Sequence, residues 1–290
     1  MISPPRCSEA SLAAGNDPAG SSSAFRSFLL VTDTGAWGKS AADAAAAGRL
    51  DPSTAGWVSS NREGLRPFAI RPVQERRGAD SDRFLAGTVG DGDALRGWQT
   101  PPTSADLQEL VAGRWPGETV DGPLIGICTN GSRDRCCALG GRPIALELAA
   151  SIGDGRVTEI SHLGGHRFAG TLVVLPWGYS YGFLDPDSAA AVADDAMSGL
   201  VHPRQLRGRA NLSPAAQAAE IAWRAELGAA APSAVAITRE QVDGEVTTVT
   251  ATVDGRTEQL NMRYLPGERI TETACGGKPF GTGRWLAETD

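Results

Sequence analysis

The chain contains 290 residues, with 41% hydrophobic and 21% charged side chains and a formal net charge of −7. This composition is typical of a globular protein long enough for one large domain or two ordinary ones. No apolar run approaches the roughly 20 residues of a membrane helix, and the first residues do not resemble a secretory signal, so we expect no membrane insertion. The acidic charge and the lack of a Lys/Arg-rich stripe argue against nucleic acid as a partner. Five cysteines, an odd number, do not suggest a disulfide framework and predict a reducing, cytoplasmic setting.

The first part of the sequence predicts a flexible arm followed by an α/β region. Residues 1–24 are rich in Ser, Ala, Gly and Pro, which is typical of a loosely ordered segment. Apolar runs separated by turn residues then predict an α/β region over 25–115. Its predicted strands are 28–31, 66–73 and 83–89, and its predicted helices are 41–48 and 104–113, the latter capped by Ser104. The turn-rich segment 115–123 indicates a domain boundary.

The central region, residues 121–205, follows the order strand, helix, strand, hairpin, helix, which is that of a thioredoxin-like core. Ile144, Leu148 and Ile152 recur at helical spacing, so we predict a helix that Pro143 opens. The other predicted elements are strands at 124–127 and 157–160, a hairpin of 171–175 and 179–184, and a helix over 185–197.

Residues 206–290 predict a small C-terminal α+β lobe. It has a helix at 214–227 and strands at 234–238, 245–253 and 259–265, of which the first two are joined by the hairpin signal V-D-G. The predicted fold class is α/β (α+β), with an N-terminal α/β region, the thioredoxin-like core and this lobe. The first 115 residues loosely echo the β-α-β-β-α order of the core.

A cluster of scarce metal-binding side chains lies in the central region. Cys128, Cys136 and Cys137 occur in C-T-N-G-S-R-D-R-C-C, and His162 and His166 follow in S-H-L-G-G-H-R-F-A. Three of the five cysteines and two of the three histidines thus fall within 39 residues. Thiolate and imidazole are the side chains that best bind soft or borderline metals. The cluster therefore predicts a metal centre with two thiolates and two imidazoles.

Four interpretations of this cluster compete. Buried cysteines with a structural histidine pair would need no metal. A structural zinc site uses the same donors, but eight residues separate Cys128 from Cys137, and zinc sites favour two to four between paired cysteines. A dithiol oxidoreductase needs C-x-x-C at a helix start, whereas Cys136 and Cys137 are adjacent. An iron–sulfur cluster is the interpretation that we favour.

The sequence resembles the sucrase/ferredoxin-like family. The matching motifs are C-T-N-G-S-R-D-R-C-C-A-L-G-G-R-P (128–143), H-L-G-G-H-R-F-A (162–169) and P-W-G-Y-S-Y-G (176–182), with weaker matches in L-R-G-R (206–209) and C-G-G-K-P (275–279). The resemblance implies a thioredoxin-like ferredoxin domain that carries a 2Fe–2S cluster held by Cys128, Cys137, His162 and His166, with Cys136 as the alternate to Cys137. One departure is Asn130, which stands where the family usually has histidine in C-T-H-G. That histidine is not expected to be a ligand.

We therefore expect an electron-transfer protein, an electron carrier rather than an enzyme that transforms a substrate. Its partner is expected to be a separate redox protein, either a reductase or an acceptor. The alternatives are a cluster-based sensor of iron or oxidants and a non-redox binding module that zinc stabilises. Cys7 is expected to be exposed and non-ligating, and Cys275 either lies near the cluster or is a simple loop thiol. The sequence makes no prediction of the oligomeric state.

Overall fold

The structure, a computed structural model, describes residues 4–59, 65–74, 84–90, 95–98, 102–112, 114, 117–153, 155–275 and 278–288. The helices within these residues are α1 (Cys7–Ala13), α2 (Ala42–Ala46), α3 (Pro52–Ser59), α4 (Ser104–Val111), α5 (Arg135–Ile152), α6 (Pro186–Met197) and α7 (Pro214–Leu227). The first strands are β1 (Ser27–Thr32), β2 (Leu65–Arg71), β3 (Phe84–Thr88), β4 (Leu95–Trp98), β5 (Glu118–Val120), β6 (Leu124–Cys128) and β7 (Val157–Ile160). The later strands are β8 (Leu172–Leu175), β9 (Tyr179–Tyr181), β10 (Leu206–Arg209), β11 (Val235–Asp243), β12 (Val246–Val253), β13 (Arg256–Ile270) and β14 (Phe280–Glu288).

Ten strands form one mixed sheet in the order β10-β9-β8-β6-β7-β2-β1-β3-β4-β5. Strand β6 pairs parallel to β7 and antiparallel to β8, which pairs antiparallel to β9. Strand β1 has the same relations to β2, β3 and β4 in the N-terminal half. The two halves of the sheet thus have the same topology, which agrees with the similar order of elements noted in the sequence. Each half also ends in a helix and an antiparallel edge strand, β5 or β10. The prediction of a mixed α/β fold is confirmed.

The two halves of the sheet meet where β2 pairs antiparallel to β7. The paired residues are Ile70 with Ile160 and Arg71 with Glu159. Glu159 is buried and forms ion pairs with Arg71 and Arg142, so its charge is compensated inside the protein. Strands from both sides of the predicted boundary at 115–123 belong to one sheet, and the division into domains stays a prediction.

Helix α5 begins eight residues earlier than the sequence predicts. The side chain of Asp134 accepts a hydrogen bond from the backbone N–H of Cys136 at 2.8 Å and caps a helix that starts at Arg135. The prediction that Pro143 opens the helix was wrong, because Pro143 lies in the helix interior. Cys136 and Cys137 therefore lie in the first turn of the helix, not in a loop before it.

The C-terminal lobe consists of helix α7 packed on a four-stranded antiparallel sheet in the order β11-β12-β13-β14. Ala216, Ala219 and Trp223 of the helix are buried against Val249 and Met262 of the sheet. Small alanine side chains along one helix face let the helix axis approach the sheet closely. The predicted helix and strands of this lobe are confirmed, while β14 was not predicted. Residues 206–209, which the sequence analysis places in this lobe, instead form strand β10 and pair with β9 in the large sheet.

The N-terminal segment is packed on the rest of the chain. Helix α1 lies against the short helical turn at 166–168, and Phe25 donates its backbone N–H to the carbonyl of Ala210 at 3.0 Å. Cys7 is only 1% exposed, so the prediction of an exposed Cys7 was wrong. The composition of residues 4–24 suggests a loose segment because the contacts that hold it, such as that of the adjoining Phe25 with Ala210, are with residues far away in the sequence.

Smaller differences concern capping and short elements. Helix α4 starts at Ser104 as predicted, but its cap is Thr103, which accepts a hydrogen bond from Asp106 N–H. Helix α3 and the strands β4, β5 and β10 were not predicted. The predicted strand residue Arg83 and helix residue Gly113 lie outside the described residues. Among the described residues, no helix combines the length and the apolar composition needed to cross a bilayer.

Candidate metal centre

Cys128 is placed by the end of a central strand. It is the last residue of β6, is fully buried, and donates its backbone N–H to the Thr171 carbonyl at 3.0 Å. Helix α5 crosses close to the end of β6, so close that a Cβ atom at Gly141 would lie only 2.1 Å from the Cys128 carbonyl oxygen. Only glycine permits this approach of helix and strand backbones. The G-G of A-L-G-G-R-P therefore has a packing role beside the first candidate ligand.

Cys137 is placed by the first turn of helix α5. The turn begins at the Asp134 cap, and it directs Cys137 toward the end of β6 and Cys136 away from it. The Cys137 side chain is 1% exposed and belongs to the same buried cluster as Cys128. A thiol in the first helical turn feels the positive end of the helix dipole, which favours the thiolate form that binds metals.

His162 completes a three-residue group with these two cysteines. It lies two residues beyond β7, and its ring Nδ1 is 3.6 Å from Cys137 Sγ and 4.0 Å from Cys128 Sγ. The three donor atoms all lie within 4.8 Å of one another. The structure thus brings together three of the four predicted ligands, and among them is Cys137, not Cys136.

His166, the fourth predicted ligand, lies beside this group. Its ring is stacked near that of His162, with centroids 6.3 Å apart and an interplanar angle of 28°. Its Nε2 atom is buried and makes no hydrogen bond with any of the described residues, and Asp134 Oδ2 lies 3.7 Å away. Burial lowers the pKa of His166, so the neutral ring that can act as a metal ligand is favoured. A bound metal ion would give this buried imidazole nitrogen the partner that it lacks among the described residues.

The pKa values of the Cys128 and Cys137 thiols are shifted in opposite directions. A hydrogen bond from Cys137, followed by the interactions with His162, holds the pKa of Cys128 well below its usual value. The Cys128 sulfur, followed by burial, raises the pKa of Cys137. The arrangement therefore favours a Cys128 thiolate that accepts a hydrogen bond from a Cys137 thiol. Cys128 is therefore the thiol whose surroundings favour the deprotonated form that binds a metal.

Thr129 was not singled out in the sequence. It follows Cys128 directly and is 5% exposed, and its hydroxyl group makes no hydrogen bond with any of the described residues. An unsatisfied buried hydroxyl costs about 1–3 kcal/mol. The nitrogen Nε2 of His166 is a second buried polar atom without a hydrogen-bond partner among the described residues.

Arg207 was quoted only as part of L-R-G-R, yet it underlies the histidine loop. Its guanidinium group is buried and donates hydrogen bonds to the Gly164 carbonyl at 3.0 Å and the Ser21 carbonyl at 2.5 Å. Burial lowers the pKa of Arg207 to about 10, while Cys128 and Cys137 act in the opposite direction. Arg207 therefore stays charged at neutral pH and places a buried cation near the two thiols. The sequence around it, H-P-R-Q-L-R-G-R-A-N, is polar and gives no local signal that Arg207 is buried.

The histidine loop is shaped by two glycines. Gly164 and Gly165 have φ values of +85° and +72°, and a Cβ at Gly165 would lie 2.4 Å from Arg207 Nη2. Ser23 Oγ donates to the Leu163 carbonyl at 2.8 Å. The N-terminal segment and Arg207 thus fix the loop from two sides.

The site is closed on its thiol side and partly open on its histidine side. Cys128 and Cys137 are buried, while His162 and His166 are both half-buried. Arg133 is exposed, and its positive charge, like that of Arg167, acts on His166. The residues at this point of the surface are the two imidazole rings and cationic side chains.

Comparison with family models matches residues 20–208 to the sucrase/ferredoxin-like family. The match covers more than half of the chain, includes all four predicted ligands, and shows that the chain belongs to this family. Neither the search of curated proteins nor the search of solved structures gives a match.

Proposed function

We propose that this member of the sucrase/ferredoxin-like family is an electron-transfer protein with a resident 2Fe–2S cluster held by Cys128, Cys137, His162 and His166. The observation that carries the proposal is the convergence of three donor atoms within 4.8 Å beside a buried His166 nitrogen that has no hydrogen-bond partner. Two thiols and two imidazoles match the donor set of a cluster with mixed cysteine and histidine ligation.

When bound, such a cluster accepts and releases one electron at a time. The chain sets the potential at which this happens. Two neutral imidazoles in place of two thiolates remove negative charge, and the buried Arg207 adds positive charge nearby. Both effects favour the reduced state. Centres with two histidine ligands have potentials of roughly −150 to +300 mV, compared with about −400 mV for ferredoxins with four cysteines.

The exposure of the site supports exchange of electrons with a separate redox protein. The buried thiol side keeps water from the sulfur ligands, and the half-buried imidazoles offer the shortest route to the surface. Exposed Arg133 next to this route favours an acidic docking surface on the partner. This division of roles fits an electron carrier.

We further propose that the unit β6–α5–β7–β8–β9–α6 is a thioredoxin-like core. The support is its strand order β7-β6-β8-β9, with β6 and β7 parallel and β8 and β9 antiparallel. The strand β1 with its partners β2, β3 and β4 repeats this order. A solved crystal structure superposed on known thioredoxin-like proteins would test the assignment.

The test of the function is metal and sulfide analysis of the full chain purified without oxygen. We expect about two irons and two sulfides per chain, broad visible absorption, and a paramagnetic signal upon reduction. Cys137→Ser is expected to lose or strongly shift the visible absorption. Cys136→Ser is the matched control, since it makes the same chemical change at the next residue and should leave the spectrum nearly intact.

Two outcomes would contradict the proposal. A colourless protein with stoichiometric zinc would favour the zinc-stabilised binding module instead. Retention of a normal cluster in both His162→Ala and His166→Ala would remove the histidines from the ligand set.

A further inference from the structure

A second group of thiols lies outside the proposed cluster site. Cys7 in α1, Cys136 in α5 and Cys275 before β14 converge so that their three sulfur atoms all lie within 4.8 Å of one another. Cys136 Sγ is 3.2 Å from Cys275 Sγ, and the backbone N–H of Cys7 donates to Cys275 Sγ at 3.4 Å. The five cysteines of the chain thus divide into two groups, Cys128 with Cys137 and these three.

We propose that Cys7, Cys136 and Cys275 form a second metal site, which takes one thiophilic closed-shell ion, Zn²⁺ or Cu⁺. Thiolates are the preferred protein ligands of both ions. Metal–sulfur bonds of about 2.3 Å hold sulfur atoms roughly 4 Å apart, so only small movements within the observed group are needed to close it around an ion. The site uses thiols other than the proposed cluster ligands, one of which, His166, has a ring nitrogen within 4.8 Å of Cys7 Sγ.

The surroundings supply what such an ion needs. Cys7 and Cys136 are each 1% exposed, whereas Cys275 is partly exposed and leaves a path for the ion to enter. A carboxylate oxygen of Asp134 and a ring nitrogen of His166 lie within 4.8 Å of Cys7 Sγ. Asp134 is therefore the candidate fourth ligand for Zn²⁺, which prefers four, while three thiolates alone suffice for Cu⁺.

A metal accounts for this group better than a disulfide does. A disulfide between Cys136 and Cys275 would use two sulfurs and leave out the buried Cys7 thiol, which lies 3.1 Å from Thr273 Oγ1. A single ion would bind all three sulfur atoms. The three residues come from segments far apart in the sequence, of which the first and last are also joined by the hydrogen bond from Ala274 N–H to the Pro5 carbonyl at 2.9 Å. The ion would therefore tie the N-terminal helix and the 273–275 segment to the first turn of α5.

The proposal is tested with the full chain, purified without oxygen in the presence of a reductant. Metal content is measured by elemental analysis, and Zn²⁺ and Cu⁺ are titrated separately in competition with a chromophoric chelator. We expect one tightly bound equivalent of one of the two ions per chain, in addition to any iron. Cys7→Ser and Cys275→Ser should each weaken this binding by roughly 100-fold or more, since loss of even an outer-shell contact to a metal ligand costs 10–100-fold. Iron and sulfide content should stay unchanged in both variants.

Two control variants separate this inference from the proposed function. Thr273→Val removes the hydroxyl that contacts Cys7 but keeps all three thiols, so the ion should be retained. Cys128→Ser should lose iron and still bind the second ion, which shows that failure of one site does not imply failure of the other. Circular dichroism identifies any variant that does not fold, and Cys275→Ser is the mildest change because its side chain is partly exposed.

Three results would overturn the proposal. The first is a parent protein that binds neither Zn²⁺ nor Cu⁺ in stoichiometric amount. The second is unchanged affinity in a folded Cys275→Ser variant. The third is peptide mapping that finds a Cys136–Cys275 disulfide in protein handled without oxygen.

Discussion

Replacing Gly141 by alanine tests the close approach of helix α5 to the strand that carries Cys128. A Cβ atom at this position would lie 2.1 Å from the Cys128 carbonyl oxygen and 3.0 Å from its carbonyl carbon. Ordinary contacts begin near 3.4 Å, so helix and strand would have to separate by more than 1 Å. The strand cannot yield easily, because β6 is paired on one side with β7 and on the other with β8.

The expected net effect is destabilising. Overpacking of this kind costs about 1–3 kcal/mol, and alanine in a helix interior recovers about 1 kcal/mol relative to glycine. We therefore expect Gly141→Ala to lower the free energy of unfolding by up to about 2 kcal/mol. It should also lower the iron content of the purified protein, because the displaced carbonyl belongs to a proposed ligand. Urea unfolding followed by circular dichroism and elemental analysis measure the two effects.

The matched control is Gly56→Ala. Gly56 is exposed in helix α3, and a Cβ atom there would meet no heavy atom within 4 Å. The same substitution should therefore stabilise the protein by up to about 1 kcal/mol and leave the iron content unchanged. If the two variants shift stability in the same direction by the same amount, the steric argument at Gly141 is refuted.

Three further predictions concern single side chains. Arg207→Met should lower the midpoint potential of the bound cluster by on the order of 50–100 mV, which is the effect of removing one charge at an assumed distance of about 10 Å and an effective dielectric constant of about 20. An unchanged potential in protein-film voltammetry would contradict this prediction. Thr129→Val should make the metal-free chain about 1 kcal/mol more stable in urea, because it removes a buried hydroxyl without a partner among the described residues. A loss of stability would show that the hydroxyl is satisfied. Asp185→Ala removes the cap of α6 and should cost about 1 kcal/mol at pH 7. Hydrogen bonds from Ser188 hold the pKa of Asp185 below its usual value. The stability that the cap contributes is therefore fully present above the unfolded-state pKa of about 4 and is lost as pH falls through the folded-state pKa. A cost of the substitution that does not shrink in acid would count against the cap.

The helices α6 and α7 show how much of the fold local sequence determines. Each is capped by a side chain that directly precedes a proline, Asp185 before Pro186 and Ser213 before Pro214, and both helices begin and end where the sequence predicts. Capping and helical periodicity act within a few residues, so their signals are complete in the sequence. The candidate ligands of the cluster were found for a similar reason, because they are scarce side chains concentrated in two short motifs.

The tertiary structure decided the start of α5, the joining of the two sheet halves and the second group of thiols. The start of α5 was misjudged because proline is favoured at the first position of a helix, and the structure shows instead that the helix begins after the Asp134 cap and passes through Pro143. The pairing of β2 with β7 joins strands almost 90 residues apart, with no periodic pattern to reveal it. Cys7 and Cys275 are 268 residues apart, and nothing near either of them indicates the other. Such contacts depend on which surfaces remain to be buried after the local elements have formed, and that is a property of the folded chain, not of any short stretch of its sequence.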